Sequence, residues 1–250
     1  MKKNSTIIIS IAIGLLLLFT SSINVFAKEV KGNGKLITKS IPISSFSKIE
    51  IETYVVVDYS QKKNKGNLEF TIDNNLWEYY DIYTHNDVLR IKLKDEYRNK
   101  LQLKPTKSLL VVSSEQLGNI EIAGSSKVNF CTGFTSKKLR IAVAGSAKII
   151  ANKYPVDIKD CKIEIAGSGN VQLAGAIQSA HIEIAGSGSM SALDCKIAQL
   201  KADIAGSGSV EAHVTDTLIA DIAGSGKVRY TGNPKNIKPS IAGSGTVKKL

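Results

Sequence analysis

Along its second half the chain alternates apolar and polar side chains in short runs, and the runs recur. The alanine of each Ala-Gly-Ser unit gives a reference: Ala123, Ala144, Ala166, Ala185, Ala205, Ala223 and Ala242. One residue before it stand Ile122, Val143, Ile165, Ile184, Ile204, Ile222 and Ile241. Three before it stand Ile120, Ile141, Ile163, Ile182, Ala202, Ala220 and Pro239. Five after it the column is Val128, Ile149, Val171, Met190, Val210, Val228 and Val247. Apolar residues at every second position predict strands with one buried face. The glycine between the two runs predicts a sharp corner with positive φ, a conformation that a Cβ disfavours. The predicted unit is therefore strand, glycine corner, strand and a variable return loop.

Successive reference alanines are 21, 22, 19, 20, 18 and 19 residues apart. A period of about 20 residues predicts a solenoid whose coils each bury an apolar face against the next. The small corner residues suit stacking at the strand spacing of about 4.8 Å. Upstream, Ile49–Tyr59 aligns with Ile120–Phe130 and repeats the two-strand pattern without the glycine corner. Further strands are predicted at Leu68–Ile72, Val88–Leu93 and Leu109–Val112. Residues 28–117 thus read as an atypical, larger-looped start of the solenoid that covers its end. Residues 118–250 read as the regular coils, and 28–250 as one structural domain.

At the N-terminus, Lys2 and Lys3 precede the apolar run Ile7–Phe19, and Val25-Phe26-Ala27 offers a small-residue cleavage site. This layout predicts a signal peptide over residues 1–27 and no stable membrane span after its removal; a retained anchor is the alternative. Residue 28 is Lys, where a lipoprotein would need Cys. The sequence expects an exported protein of the periplasm, cell surface or exterior.

Four short segments and the corner run sharpen this expectation. Phe46-Ser-Lys-Ile-Glu-Ile, Asp73-Asn-Asn-Leu, Asp87-Val-Leu-Arg-Ile, Leu117-Gly-Asn-Ile-Glu-Ile-Ala-Gly-Ser and the run of Ala-Gly-Ser-Gly corners occur in this order. Together, over about residues 40–250, they make the chain resemble the putative auto-transporter adhesin head GIN domain family. The resemblance implies a single-stranded right-handed parallel β-helix in an exported or cell-envelope protein. That family has no established biochemical role and offers no catalytic residues to carry over.

Charge and cysteines narrow the partners. Lys and Arg number 33 against 22 Asp and Glu, a net charge of +11 that falls by two with the loss of Lys2 and Lys3. An exported basic chain favours a glycan or another anionic envelope component over nucleic acid. Cys131, Cys161 and Cys195 occupy different positions in their coils, so the sequence predicts buried single thiols rather than a disulfide framework.

The outward positions carry the candidate chemistry. Two residues before the alanines run Glu121, Ala142, Glu164, Glu183, Asp203, Asp221 and Ser240; four before run Asn119, Arg140, Lys162, His181, Lys201, Ile219 and Lys238. One reading is a solvated face whose acids and bases compensate one another on diagonals. The other is a cation ladder, or a carboxylate pair among Glu164, Glu183 and Asp203 in a polysaccharide lyase or hydrolase. Against the enzyme, the aromatics from Gly118 onward are only Phe130, Phe134, Tyr154 and Tyr230, and none lines up beside the acids. His85, His181 and His213 fall in different registers, with His181 read as solvated, so no catalytic, metal or cofactor site is assigned. Trp77, Tyr79, Tyr80 and Tyr83 are either a ligand platform or the seal over the solenoid's open end. The last coil lacks a cap and predicts weak self-association, opposed by Lys248 and Lys249. The expected function is a non-enzymatic binding or adhesion-like module. Its candidate ligand surface is Trp77, Tyr79, Tyr80, Tyr83, Glu164, Glu183, Asp203 and Asp221.

Overall fold

The computed structural model describes residues 27–250; the expected signal peptide therefore lies, but for Ala27, outside the described residues. Among the described residues the chain folds into 19 strands and one short 3-10 turn, Trp77–Tyr79. The architecture is the predicted β-solenoid, with coils stacked at a spacing of about 20 residues.

Strands Lys148–Gly167, Asn170–Gly186, Ser189–Gly206 and Ser209–Gly224 lie parallel, with Ala166, Ala185, Ala205 and Ala223 in one register. The buried columns are those of the alternation: Ile163, Ile165, Ile182, Ile184 and Ile204 are enclosed. Each fully buried Ile contributes roughly 1.5–3 kcal/mol. The expected return loop is itself strand. Asp157, Ala176 and Lys196 pair in register across coils, and Ile158, Ile177 and Ile197 beside them are buried. Lateral pairing satisfies backbone groups that a buried loop would leave bare. The differing coil lengths are absorbed as register shifts at Ala151/Val156 and Gln172/Gly175.

Two corner glycines show why the motif is glycine-rich. Gly186 has φ 117°, and a Cβ there would sit 2.7 Å from the Gly167 carbonyl oxygen. Gly188 has no such φ, but a Cβ would meet Ile165 Cγ2 at 2.5 Å. In the first regular coil Ser126 replaces this second glycine and is buried. Its Oγ accepts from Val55 N at 3.1 Å and donates to the Thr53 carbonyl at 2.5 Å, tying it to the glycine-free corner below.

That corner belongs to the coil of Lys48–Ile51 and Val56–Gln61, paired as the alignment predicts, with Ile49 beside Ile120 and Val57 beside Val128. Its position in the stack departs from sequence order. Val88–Leu93 and Ser108–Ser114 lie on its far side, so the later segment forms the outermost coil. Antiparallel strands then close the end: Tyr80–His85 on Val88–Leu93, Asn67–Asp73 on Ser108–Ser114, and Leu36–Pro42 on Asn67–Asp73. The open apolar end is covered by turning the sheet antiparallel.

Asp73 pins this closure. Its buried carboxylate accepts from Gly34 N at 2.8 Å, Thr106 N at 2.8 Å and Thr106 Oγ1 at 2.7 Å. Burial alone would raise its pKa, but these hydrogen bonds hold it below the ordinary carboxylate value. At the opposite end, Asn236–Gly243 and Thr246–Lys249 pair on one side only, and Ile237 and Ile241 are 43% and 44% exposed.

Candidate functional site

The alternation places acids and bases on one outward face, and the coil spacing brings each into reach of its neighbours. Arg140 donates from Nη1 to Glu121 Oε1 at 2.7 Å and from Nε to Glu164 Oε2 at 2.6 Å. It bridges coils on either side of its own because Ala142 stands at the acidic position of that coil and leaves the space to its guanidinium. Lys162 Nζ lies 2.9 Å from Glu164 and 3.4 Å from Glu183. His181 Nε2 is 3.3 Å from Glu183 and 2.7 Å from Asp203, and Lys201 Nζ is 2.5 Å from Asp203. The ladder continues into the N-terminal coils as Glu50 with Arg90 at 3.1 Å and Glu52 with Arg98 at 2.6 Å.

The face is self-compensating, as one reading expected, and its basic side chains meet solvent, but two of its acids do not. Glu164 and Glu183 are 6% and 8% exposed, because the basic side chains lie over them. His181, expected in solvent, is partly buried between two carboxylates. Burial would raise the Asp203 pKa, yet hydrogen bonds from His181 and Lys201 hold it below the ordinary value. Asp221 has less help: Ile219 stands at the basic position of its coil, and burial together with the Asp203 carboxyl pushes its pKa up against the attraction of Lys201. His181, Glu183 and Asp203 each offer a donor atom within 4.8 Å of the others, the separation at which side chains can share a metal ion.

The aromatic residues go to the closed end. Tyr80 is buried, with its ring 5.0 Å from that of Phe70, and its hydroxyl donates to the Tyr54 carbonyl at 3.3 Å. Trp77 lies 6.1 Å from Phe70, and Tyr79 lies 4.9 Å from Tyr97 in an edge-to-face pair. Trp77 and Tyr79 pack against the core, and Tyr83 is half-buried on Tyr80–His85. Burial pushes the Tyr80 hydroxyl up to about 12, so it stays neutral at ordinary pH. Tyr83 pairs with Arg90 at the N-terminal end of the ladder, but the expected acids Glu164, Glu183, Asp203 and Asp221 lie in later coils and do not form one site with the aromatic group.

A third feature escaped the sequence reading. A groove of about 640 Å³ runs between the first glycine corner and the strand Leu101–Lys104. Glu52, Tyr54, Lys92, Arg98, Gln102, Lys104 and Ser125 line it, and Tyr54 is 46% exposed. Glu52 and Arg98 also line a recess of about 390 Å³ with Glu50, Arg90, Glu121 and Arg140. These residues converge because the coil carrying Val88–Leu93 lies outside the coil that precedes it in sequence. The signal available beforehand was the basic stretch from Lys92 to Lys107, which belongs to no repeat. Cys161 and Cys195 are buried, and burial pushes both thiols up to about 12. Cys131 is half-buried rather than buried, and all three cysteines are free.

A family model described as putative auto-transporter adhesin, head GIN domain, matches residues 45–234. No curated protein matches the chain. Among solved structures, a putative adhesin from Bacteroides fragilis NCTC 9343 aligns with TM-score 0.79 at 23% identity, over 88% of this chain and 100% of its own. A putative lipid binding protein from Parabacteroides distasonis ATCC 8503 aligns with TM-score 0.74 at 28% identity, over 89% and 100%. A putative adhesin from Parabacteroides merdae ATCC 43184 aligns with TM-score 0.65 at 26% identity, over 90% and 100%.

Proposed function

The chain belongs to the putative auto-transporter adhesin, head GIN domain family, and on that premise we propose that it is an exported, non-enzymatic binding module of the cell envelope. The reading takes an anionic glycan as ligand and places it in the groove beside the first corner. One observation carries this: the groove is open and three cations, Lys92, Arg98 and Lys104, line it against one acid, Glu52; Arg98 pairs with Glu52 and Lys92 with Asp81 and Asp95, which leaves Lys104 without an acidic partner among the described residues. Tyr54 adds an exposed ring against which a sugar can pack, and the flanking Gln102, Asn99 and Ser125 supply hydrogen-bonding groups. The acids of the ladder, by contrast, are engaged by Arg140, Lys162 and Lys201, which argues against a free catalytic pair.

The test is an array of uronic-acid, sulfated and neutral glycans probed with purified protein, beside a degradation screen on the same glycans. The expected outcome is binding of acidic glycans without cleavage, weakened at least tenfold in Tyr54→Ala and Arg98→Ala. Cleavage abolished by Glu183→Gln would instead establish the polysaccharide-active enzyme. Binding that both groove variants retain would move the ligand elsewhere.

A further inference from the structure

We propose that the ladder holds one divalent transition-metal ion of the zinc class, bound by His181, Glu183 and Asp203. The donors come together through the fold's own register. His181 and Glu183 are two apart on one strand and share its outward face. Asp203 stands beside Glu183 on the next coil. Their donor atoms lie within 4.8 Å of one another. His181 Nε2 lies 3.3 Å from Glu183 and 2.7 Å from Asp203, whereas an ion about 2.0–2.2 Å from each donor holds them about 3.3–3.6 Å apart, so the His181–Asp203 contact opens by roughly 0.6–0.9 Å as the ion enters. One imidazole and two carboxylates form a donor set suited to zinc, with a side open for water.

Two further observations point to an ion here. The second oxygen of the same carboxylate, Glu183 Oε2, is buried and accepts no hydrogen bond among the described residues. An unmet buried acceptor is costly, and a cation held by that carboxylate offsets the cost. The ladder is also short of positive charge at this place. The basic column holds His181 where its neighbours carry Lys162 and Lys201, and then Ile219. Glu183, Asp203 and Asp221 therefore face two lysines.

The competitor is Lys201, whose ammonium lies 2.5 Å from Asp203 and 3.5 Å from His181 Nε2. Its side chain is 43% exposed, so it can swing aside. Asp221, one coil on and without a base of its own, is the carboxylate ready to receive it. The ion thus re-partners the ladder without breaking it. The site is independent of the glycan groove, which involves none of these three residues.

The experiment uses untagged protein at mildly alkaline pH, where imidazole is free to ligate. Zn²⁺ is titrated by calorimetry and Co²⁺ by visible absorption. One ion per chain is expected, with Co²⁺ bands of low-symmetry nitrogen and oxygen ligation and a raised thermal midpoint in Zn²⁺. His181→Ala should lose at least tenfold in affinity, and His213→Ala none. His181→Lys restores the basic column and should stay folded by circular dichroism while losing the ion, which separates ligation from structural damage. Absence of saturable binding at millimolar ion would overturn the proposal. Binding of wild-type strength in a folded His181→Lys protein would overturn it equally. Glycan binding is scored on the same variants, and its persistence without metal leaves the groove reading standing.

Discussion

In the regular coils the corner and its flanking columns rest on their counterparts coil after coil, whereas in residues 28–117 the aromatic contacts that close the end join residues from unlike positions. Ala166, Ala185 and Ala205 stack on one another, as do Ile163 and Ile182. In the N-terminal region Phe70 meets Trp77 and Tyr80, and Tyr59 meets Phe130 and Phe134 across the junction at ring distances of 5.4 and 6.3 Å. A stack of equals can be extended indefinitely but has no means of ending itself. The closed end needs shapes that differ, and the aromatic side chains supply them. Errors in the two regions should therefore have different reach. A fault in the stack meets backbone on the neighbouring coil, and a fault in an N-terminal loop meets solvent.

The sharpest way to break this contrast is a pair of glycine substitutions. Gly186→Val should cost about 2–6 kcal/mol, from positive-φ strain plus collision with Gly167. Gly66→Val, at φ 81° with nothing within 4 Å, should cost only the strain, about 1–3 kcal/mol. Equal losses in urea denaturation would refute the contrast. Next in size is Asp73→Ala, expected to cost about 3 kcal/mol, since one buried carboxylate serves three donors. Because the folded pKa of Asp73 is depressed, its contribution is complete above the ordinary carboxylate pKa, near 4, and disappears as the pH falls through the folded value. The deficit of the variant should therefore shrink in acid, and a pH-independent deficit would count against the assignment.

Smaller effects probe the ladder. Arg140→Ala should lose about 1 kcal/mol at low salt and less at high salt, since the pairs with Glu121 and Glu164 lie at a partly exposed face. Smallest is Asp221→Asn, where the sign reverses. Its folded pKa is raised, so the protonated form is favoured by folding and stability is lost as pH rises through the folded value. The amide should stabilise by a few tenths of a kcal/mol near pH 7, after screening by solvent, and make no difference near pH 3. Destabilisation at neutral pH would mean that the attraction of Lys201 outweighs burial and the Asp203 carboxyl.

Much of the site was legible in the chain. Arg140, Lys162 and His181 sit diagonally to Glu164, Glu183 and Asp203 in the alanine alignment and contact them on those diagonals, while Lys162 and Lys201 also pair with Glu164 and Asp203 two residues on along their own strands. What alignment could not convey was their burial, because it depends on how far a lysine stem folds over its neighbour. His181 appears in the alignment as one more basic-column residue; only the distance to Asp203 makes it a partner of two acids. The return strands were hidden for a related reason. Coil lengths differ, so aligning on the corner blurs the alternation that Ile158, Ile177 and Ile197 share.

By itself the sequence determined the coil period, the glycine corners, the buried columns and even the match of Ile49 to Ile120. These follow from strand alternation and backbone sterics, which are local. Tertiary structure alone decided that Val88–Leu93 lies outside Lys48–Ile51, that the end closes with antiparallel strands, and that Tyr54, Arg98 and Lys104 share a groove. A parallel strand with one apolar face can stack on any other of the same pattern. Which neighbour it takes is settled by burying the open end of the core, and no periodicity within a strand records that.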